Sequence, residues 1–337
     1  AITSVEQALE LMILDPHIAQ VMLKNPKLRQ LIPEINHDRT TTSIGVYKFS
    51  ERRPSFYADI NQETGVVDLF RPTYFLGQGR YAHVRLFSNK HGISFAVKTP
   101  HAQRLGTSNE SITSTLIDYQ QEHTIMRRAY NNHNACKLFY FAQGNEHGKI
   151  TAKIRSVMPH IQGEQVHTYI QRIQSPHTLA LIILSMTKTV MRLHENNIIH
   201  GDIKLDNIII STVPDLKTTL VDFGFAYWFT EETASTFLKE ESANYIAPER
   251  CNYPRDVTPH TNQDVYSFAY NIKYHIINMH PQGDALKNLY PCLNDFTQDG
   301  CSPIPELRPN LTSLCEALSY EIQSHHNDAI TTPTMRI

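Results

Sequence analysis

The sequence predicts an α+β chain in two lobes, strand-rich first and helix-rich second, behind an N-terminal helical extension. Three observations predict it. Strand-like stretches crowd the region up to about Val157, helical periodicity dominates from Gly163 onward, and Asx-Pro pairs punctuate the first 36 residues.

The chain has 337 residues, enough for two domains or one bilobal domain with an extension at ~100–200 residues per domain. Hydrophobic residues make up 41% and charged residues 19%, which excludes wholesale disorder. Lys and Arg number 31 against 33 Asp and Glu, so the net charge is -2. Nothing in that balance predicts a global nucleic-acid or anionic-membrane binder. The 18 histidines are scattered without metal-ligand spacing, and the five cysteines form no C-x-x-C pair. Dispersed, odd-numbered cysteines fit reduced thiols in a cytosolic setting. The longest apolar run, Leu179 to Leu184, is far shorter than the ~20 residues of a membrane span. No basic segment followed by an apolar core opens the chain, so no secretory signal is expected. The start at Ala1 rather than Met leads to the expectation of a trimmed chain.

Residues 1–43 form the extension. Ser4, Asp15-Pro16 and Asn25-Pro26 supply N-caps, the last two with proline at the first helical position. Leu9, Met12, Ile13, Ile18, Val21 and Met22 give apolar helical faces, which serve either packing on the next domain or a partner or dimer contact. Residues 37–43 read as a polar linker. The strand-rich lobe spans 44–162, with strands at 44–49, 55–60 and 66–70, a hairpin loop over Asn61 to Gly65, and one helix near 110–130. The helix-rich lobe spans 163–328, with a long helix from Ser175-Pro176 to Asn196-Asn197. Residues 329–337 are a tail.

Gly77-Gln78-Gly79 permits a tight turn whose amides approach phosphate, although Ala82 stands where a third glycine would complete G-x-G-x-x-G. Lys98 ends the apolar run Phe95-Ala96-Val97, where it must be solvated or paired, and a nucleotide phosphate is one partner. Glu122 is a candidate counter-ion and Glu110 a competing one. Ile125 and Met126, which put Glu122 beside a packed face, favour Glu122. The strongest signal is His200-Gly201-Asp202-Ile203-Lys204-Leu205-Asp206-Asn207 before the apolar run Ile208 to Ile210. Asp202 offers a carboxylate for a hydroxyl proton. Asn207 and Asp222, in Leu220-Val221-Asp222-Phe223-Gly224, offer oxygens for Mg²⁺.

In this order and spacing, the glycine loop, strand lysine, helix glutamate, Asp202 loop and Asp-Phe-Gly resemble the eukaryotic-type serine/threonine protein kinase superfamily over roughly residues 70–320. Ala247-Pro248-Glu249 resembles the end of an activation segment, Asp264-Val265-Tyr266 the start of the central helix, and Arg308-Pro309 the arginine that pairs with Glu249. The resemblance implies a bilobal kinase fold and γ-phosphoryl transfer from ATP with Mg²⁺ to protein Ser or Thr hydroxyls. Gly77, Gln78 and Gly79 would cover the phosphates, Lys98 would hold two of them, and Glu122 would hold Lys98. Val84 and Ala96 join as nucleotide contacts. Met158, Pro159, His160 and Ile161 resemble the hinge, with the Pro159 carbonyl and the Ile161 amide facing adenine. Asn207 and Asp222 would bind Mg²⁺, Asp202 would position the acceptor, and Lys204 would steady the γ-phosphate. Ser242 sits where Ser/Thr kinases carry a hydroxyl that contacts the Asp202 loop.

Gly201 is the main departure, since the family's usual arginine there pairs with a phosphorylated activation loop. The expectation is activity that does not depend on phosphates at Thr230, Thr233, Ser235 or Thr236. His-Gly-Asp is also similar to small-molecule kinases of the aminoglycoside and choline type. Lys204, Ala247-Pro248-Glu249, Asp264 and Arg308 argue against that alternative. A pseudokinase scaffold is the other alternative, and intact Lys98, Asp202, Asn207 and Asp222 argue against it. With Ala82, Gly201 and Ala269 the chain also looks similar to effector kinases that intracellular bacteria deliver into a host cytosol.

Overall fold

The structure, a computed structural model, describes residues 42–47, 56–61, 67–79, 81–101, 108–131, 137–144, 150–229, 244–252 and 260–331. The N-terminal helices, the hairpin loop after Asn61, Thr230, Thr233, Ser235, Thr236, Ser242 and the tail from residue 332 lie outside the described residues. The chain divides into two compact units after His160, with residues 124–131 grouped with the second. Strands make the first unit and helices dominate the second, as expected of an α+β bilobal kinase fold.

The first unit carries one antiparallel sheet and most of one helix. Its strands are β1 (Thr42–Tyr47), β2 (Phe56–Asn61), β3 (Val67–Gln78), β4 (Ala82–Ser88), β5 (Ser94–Pro100), β6 (Lys137–Gly144) and β7 (Ile150–Pro159). They run in the order β1-β2-β3-β4-β5-β7-β6. β1 begins at Thr42, inside the stretch read as linker. It is extended because it pairs with β2 from Thr42↔Asn61 to Tyr47↔Phe56, and a single strand's composition does not reveal its partner. Phe70, Phe87, Val97 and Val157 bury one face of the sheet, with Phe95 packed against them. Alternation along β4 and β5 is what puts these side chains on a common face. Helix α1 (Asn109–Ala129) carries Glu122.

In the second unit, β8 (Glu164–Gln165) joins α2 (Val166–Ile170), and α3 (Pro176–Glu195) is the central buried helix. The Ser175 hydroxyl accepts from the Thr178 amide at 3.2 Å, and Pro176 opens the first turn. Leu179, Ile182, Ile183, Met186, Val190 and Leu193 recur at helical spacing and are buried. β9 (Ile198–Ile199), β10 (Ile208–Ser211), β11 (Lys217–Leu220) and β12 (Tyr227–Trp228) form two small sheets, β11-β10-β8 and β12-β9. α4 (Pro248–Asn252) follows Ala247, and α5 (Asn262–Asn271) carries the buried Asp264 in its first turn. It runs on as a π-helical stretch over Ile272–Asn278, a change of hydrogen-bond pattern that the sequence reading did not foresee. α6 (Gly283–Leu289), α7 (Pro291–Gly300) and α8 (Leu311–Thr331) complete the unit. No helix among the described residues is long and apolar enough to cross a membrane.

Candidate active site

The first unit presents a glycine turn and an ion pair. Gly77 pairs with Val84 across β3 and β4, and the Gly79 amide donates to the Ala82 carbonyl at 2.8 Å. A Cβ at Gly77 would meet nothing within 4 Å, and one at Gly79 only the Ala82 oxygen at 3.8 Å. Packing among the described residues therefore asks for neither glycine, and both positions leave the backbone open to close approach. His101 ties this turn to the end of β5. Its amide donates to the Tyr81 carbonyl at 2.9 Å, and its Nε2 lies 3.0 Å from the Gly79 oxygen. His83 stacks on His101, and burial together with Arg85 and Arg155 holds the His83 imidazole below its usual range.

Lys98 lies opposite Val84 on one side and Ser156 on the other. Its Nζ is 2.6 Å from Glu122 Oε1, with the two side chains 13% and 7% exposed. A pair this buried holds both groups in one geometry. Glu110 is exposed in the first turn of α1. Ala96 is buried, and Met158 and Pro159 close β7 opposite Ala96 and Phe95. His160 Nδ1 meets the Ser94 hydroxyl at 3.1 Å, and Ile161 begins the second unit.

The second unit brings Asp202, Lys204 and Asn207 together. Asp202 Oδ2 accepts from Lys204 Nζ at 2.8 Å and from Asn207 Nδ2 at 2.8 Å, while the Asp202 carbonyl accepts from the same amide nitrogen at 2.9 Å. The Leu205–Asn207 3₁₀ turn sets this spacing, and buried Leu205 and Ile203 anchor it. Because Asn207 spends its amide hydrogens on Asp202, its Oδ1 is the atom left for a cation. The Val221 amide donates to the Asn207 carbonyl at 2.9 Å, which ties the end of β11 to this turn. The next residue, Asp222, has φ +63°. A non-glycine residue in this region costs ~1–3 kcal/mol and persists only where its surroundings impose it, as they do at functional sites. Asn and Asp oxygens are the hard donors that suit Mg²⁺.

Beneath this cluster, buried Asp264 accepts from the His200 amide at 2.8 Å, the Gly201 amide at 2.9 Å and His194 Nε2 at 3.0 Å. Burial alone would raise its carboxyl, but the His194 bond and the charges of His194 and His200, with the Gly201 amide, hold it below the usual range. Arg250 Nη1 donates to the Gly201 carbonyl at 2.5 Å and stacks over Tyr227, whose hydroxyl donates to Gln263. Arg308 binds Glu249 through two bonds of 2.7 and 2.8 Å. Phe223 packs on His200 and meets Tyr130 edge-on, and the Tyr130 hydroxyl donates to the Leu220 carbonyl at 3.1 Å.

Two residues of this cluster escaped the sequence reading. Arg250 follows Ala247-Pro248-Glu249, and Tyr245 donates its hydroxyl to Asp202 Oδ1 at 2.6 Å. The only signal for either is nearness to that tripeptide, and nearness does not say what they touch.

A family model, "Protein kinase domain", matches residues 70–291, well over half of the chain. The chain belongs to the protein kinase domain family. Among similar curated proteins, Calcium-dependent protein kinase 4 of Plasmodium falciparum is 25% identical over 230 residues, covering 63% of this chain and 40% of its own length. Serine/threonine-protein kinase plk-1 of Caenorhabditis elegans is 27% identical over 195 residues, 56% of this chain and 28% of its own. Death-associated protein kinase dapk-1 of the same organism is 23% identical over 225 residues, 65% of this chain and 14% of its own. The chain thus spans less than half the length of these relatives. The kinase domain implies ATP use with a divalent metal.

Proposed function

We propose that this kinase-family chain is a serine/threonine protein kinase that uses Mg²⁺ and ATP, and that it acts without activation-loop phosphorylation. The observation that carries the proposal is the Asp202–Lys204–Asn207 cluster, in which one carboxylate oxygen binds both an ammonium and an amide. Bound Mg²⁺ would neutralise phosphate oxygens and polarise the γ-phosphoryl group. Asn207 Oδ1 and the Asp222 carboxylate would hold it. Lys98, held by Glu122, would hold the α- and β-phosphates, and the amides around Gly77, Gln78 and Gly79 would cover them. Val84 and Ala96 would contact the nucleotide, and Met158, Pro159 and Ile161 would form the hinge. Asp202 takes the proton of the acceptor hydroxyl as its oxygen bonds to the γ-phosphorus and the bond to the ADP oxygen breaks. Lys204 steadies the charge on the transferred group.

Lys204 and relatives named as serine/threonine kinases support a Ser or Thr acceptor. Gly201 and Arg250 support independence from loop phosphate. The Gly201 carbonyl is held by buried Arg250, so a bond within the described residues already braces the loop that an arginine and a phosphate would otherwise secure. We assign 44–162 to the kinase N-lobe, with strands beyond the usual set, and 163–328 to the C-lobe. Residues 1–43, the last two of which lie in β1, would be an N-terminal extension that packs on the next domain or contacts a partner or second copy, and 329–337 would be a tail, with α8 running to Thr331. The dispersed cysteines favour a cytosol as the working compartment. Ala82, Gly201 and Ala269 favour a divergent effector-type branch delivered into a host cell.

The test is transfer of label from γ-labelled ATP with Mg²⁺ to a generic basic protein, with the labelled residues mapped. Label on Ser and Thr is expected, and it persists when Thr230, Thr233, Ser235 and Thr236 are all alanine. Label confined to a small-molecule acceptor, or ATP binding with no transfer, would overturn the reading. Loss of transfer in the four-alanine variant would overturn loop independence alone.

A further inference from the structure

The carboxylate assigned above to the acceptor already has a hydroxyl on it. Tyr245 donates to Asp202 Oδ1 at 2.6 Å, and Lys204 Nζ lies 3.4 Å from the same phenol oxygen. Oδ2, the other oxygen, is engaged by Lys204 and Asn207. The Tyr245 hydroxyl therefore touches both groups that phosphoryl transfer needs around an acceptor oxygen, the carboxylate that takes its proton and the ammonium beside it. The Asp202 side chain is only 3% exposed, so an incoming hydroxyl has little of the carboxylate to reach except where Tyr245 stands. A phenol, with its pKa near ~10, is also a stronger donor to a carboxylate than water or a serine hydroxyl.

The backbone around Tyr245 fixes this contact. Ile246 and Ala247 are buried, and Glu249 is clamped by Arg308. The Tyr245 ring also lies 5.7 Å from Lys204 Nζ, so it stays seated if the hydroxyl alone is removed.

We infer that Tyr245 is an intramolecular gate whose hydroxyl occupies the acceptor position on Asp202 and must be displaced before a substrate hydroxyl engages. The inference rests on the reading of Asp202 as the acceptor's base. It makes Tyr245 a residue that sets acceptor affinity rather than chemical rate.

Two measurements on the full chain test it. The first uses no nucleotide. With ¹³Cζ-labelled tyrosine, the Tyr245 resonance, assigned by its loss in Tyr245→Phe, shifts in Asp202→Asn if the contact exists. A resonance insensitive to Asp202 overturns the gate. The second uses Mg-ATP. Tyr245→Phe is expected to raise ATP hydrolysis, where water is the acceptor, about tenfold, the worth of one displaced hydrogen bond to a charged group. It should lower KM for the basic protein by a similar factor with kcat unchanged. A fall in kcat at constant KM would make Tyr245 a brace and overturn the gate, as would no change in either quantity. Phosphate mapped onto Tyr245 would make it an acceptor and overturn the gate as well. A wild-type protein that shows the Asp202-dependent resonance yet transfers no phosphate counts against the kinase reading. An active wild type without that resonance shift counts against the gate alone.

Discussion

Gly201 is confined by its backbone rather than by the absence of a charge. Its φ is +75°, and a Cβ there would lie 2.5 Å from the Phe225 carbonyl oxygen. Gly201→Ala is therefore expected to cost at least the ~1–3 kcal/mol of left-handed strain, read as a lower urea midpoint at an unchanged slope. Gly201→Arg pays the same cost and so lowers stability. Asp264, which holds the Gly201 amide, gives a pH-dependent prediction. Its folded carboxyl is depressed, so it contributes stability that is present above the ordinary carboxylate pKa of ~3.9 and is lost as pH falls below it. The stability gap between wild type and Asp264→Asn should narrow on urea titration from pH 7 to pH 3. A gap that widens on acidification would contradict the assignment.

At the scale of elements, two small residues set how closely two helices pack. Ala269 on α5 faces Gly300 at the end of α7. A Cβ at Gly300 would come 2.5 Å from the Ala269 Cβ. Gly300→Ala should destabilise by ~1–3 kcal/mol through overpacking, and adding Ala269→Gly should recover most of that loss. A double-mutant cycle that is merely additive would contradict direct packing. The Arg308–Glu249 pair fastens α4 to the segment before α8. The Arg308 side chain is fully buried and Glu249 is 17% exposed. Arg308→Met strands a largely buried carboxylate and is expected to cost ~3–5 kcal/mol, seen as a lower Tm.

Across the whole molecule, the two-lobe α+β organisation was legible because it rests on local signals. The Ser175-Pro176 cap starts α3, and β-branched and aromatic runs mark β4 and β5. Arg308 and Glu249 were also legible as a pair, because their motifs lie in a recognisable order. What was not legible depends on partners distant in the chain. Thr42–Tyr47 is a strand through its pairing with β2, despite polar residues just before it. The π-helical Ile272–Asn278, which buries Ile272, Ile276 and Ile277, contains no glycine or proline to announce it. Tyr245 and Arg250 gain their meaning only when the chain folds back on Asp202 and Gly201.

On the proposed function, Lys98 and Asp202 would serve phosphoryl transfer in different ways, and measuring ATP binding and transfer in parallel separates them. Asp202→Asn should bind Mg-ATP with near wild-type affinity and lose at least ~10²-fold in transfer, because it removes the proton acceptor but not a phosphate contact. Lys98→Ala should lose affinity and transfer together, because it removes the cation that Glu122 holds for the phosphates. An Asp202→Asn protein that transfers phosphate at the wild-type rate would contradict the account.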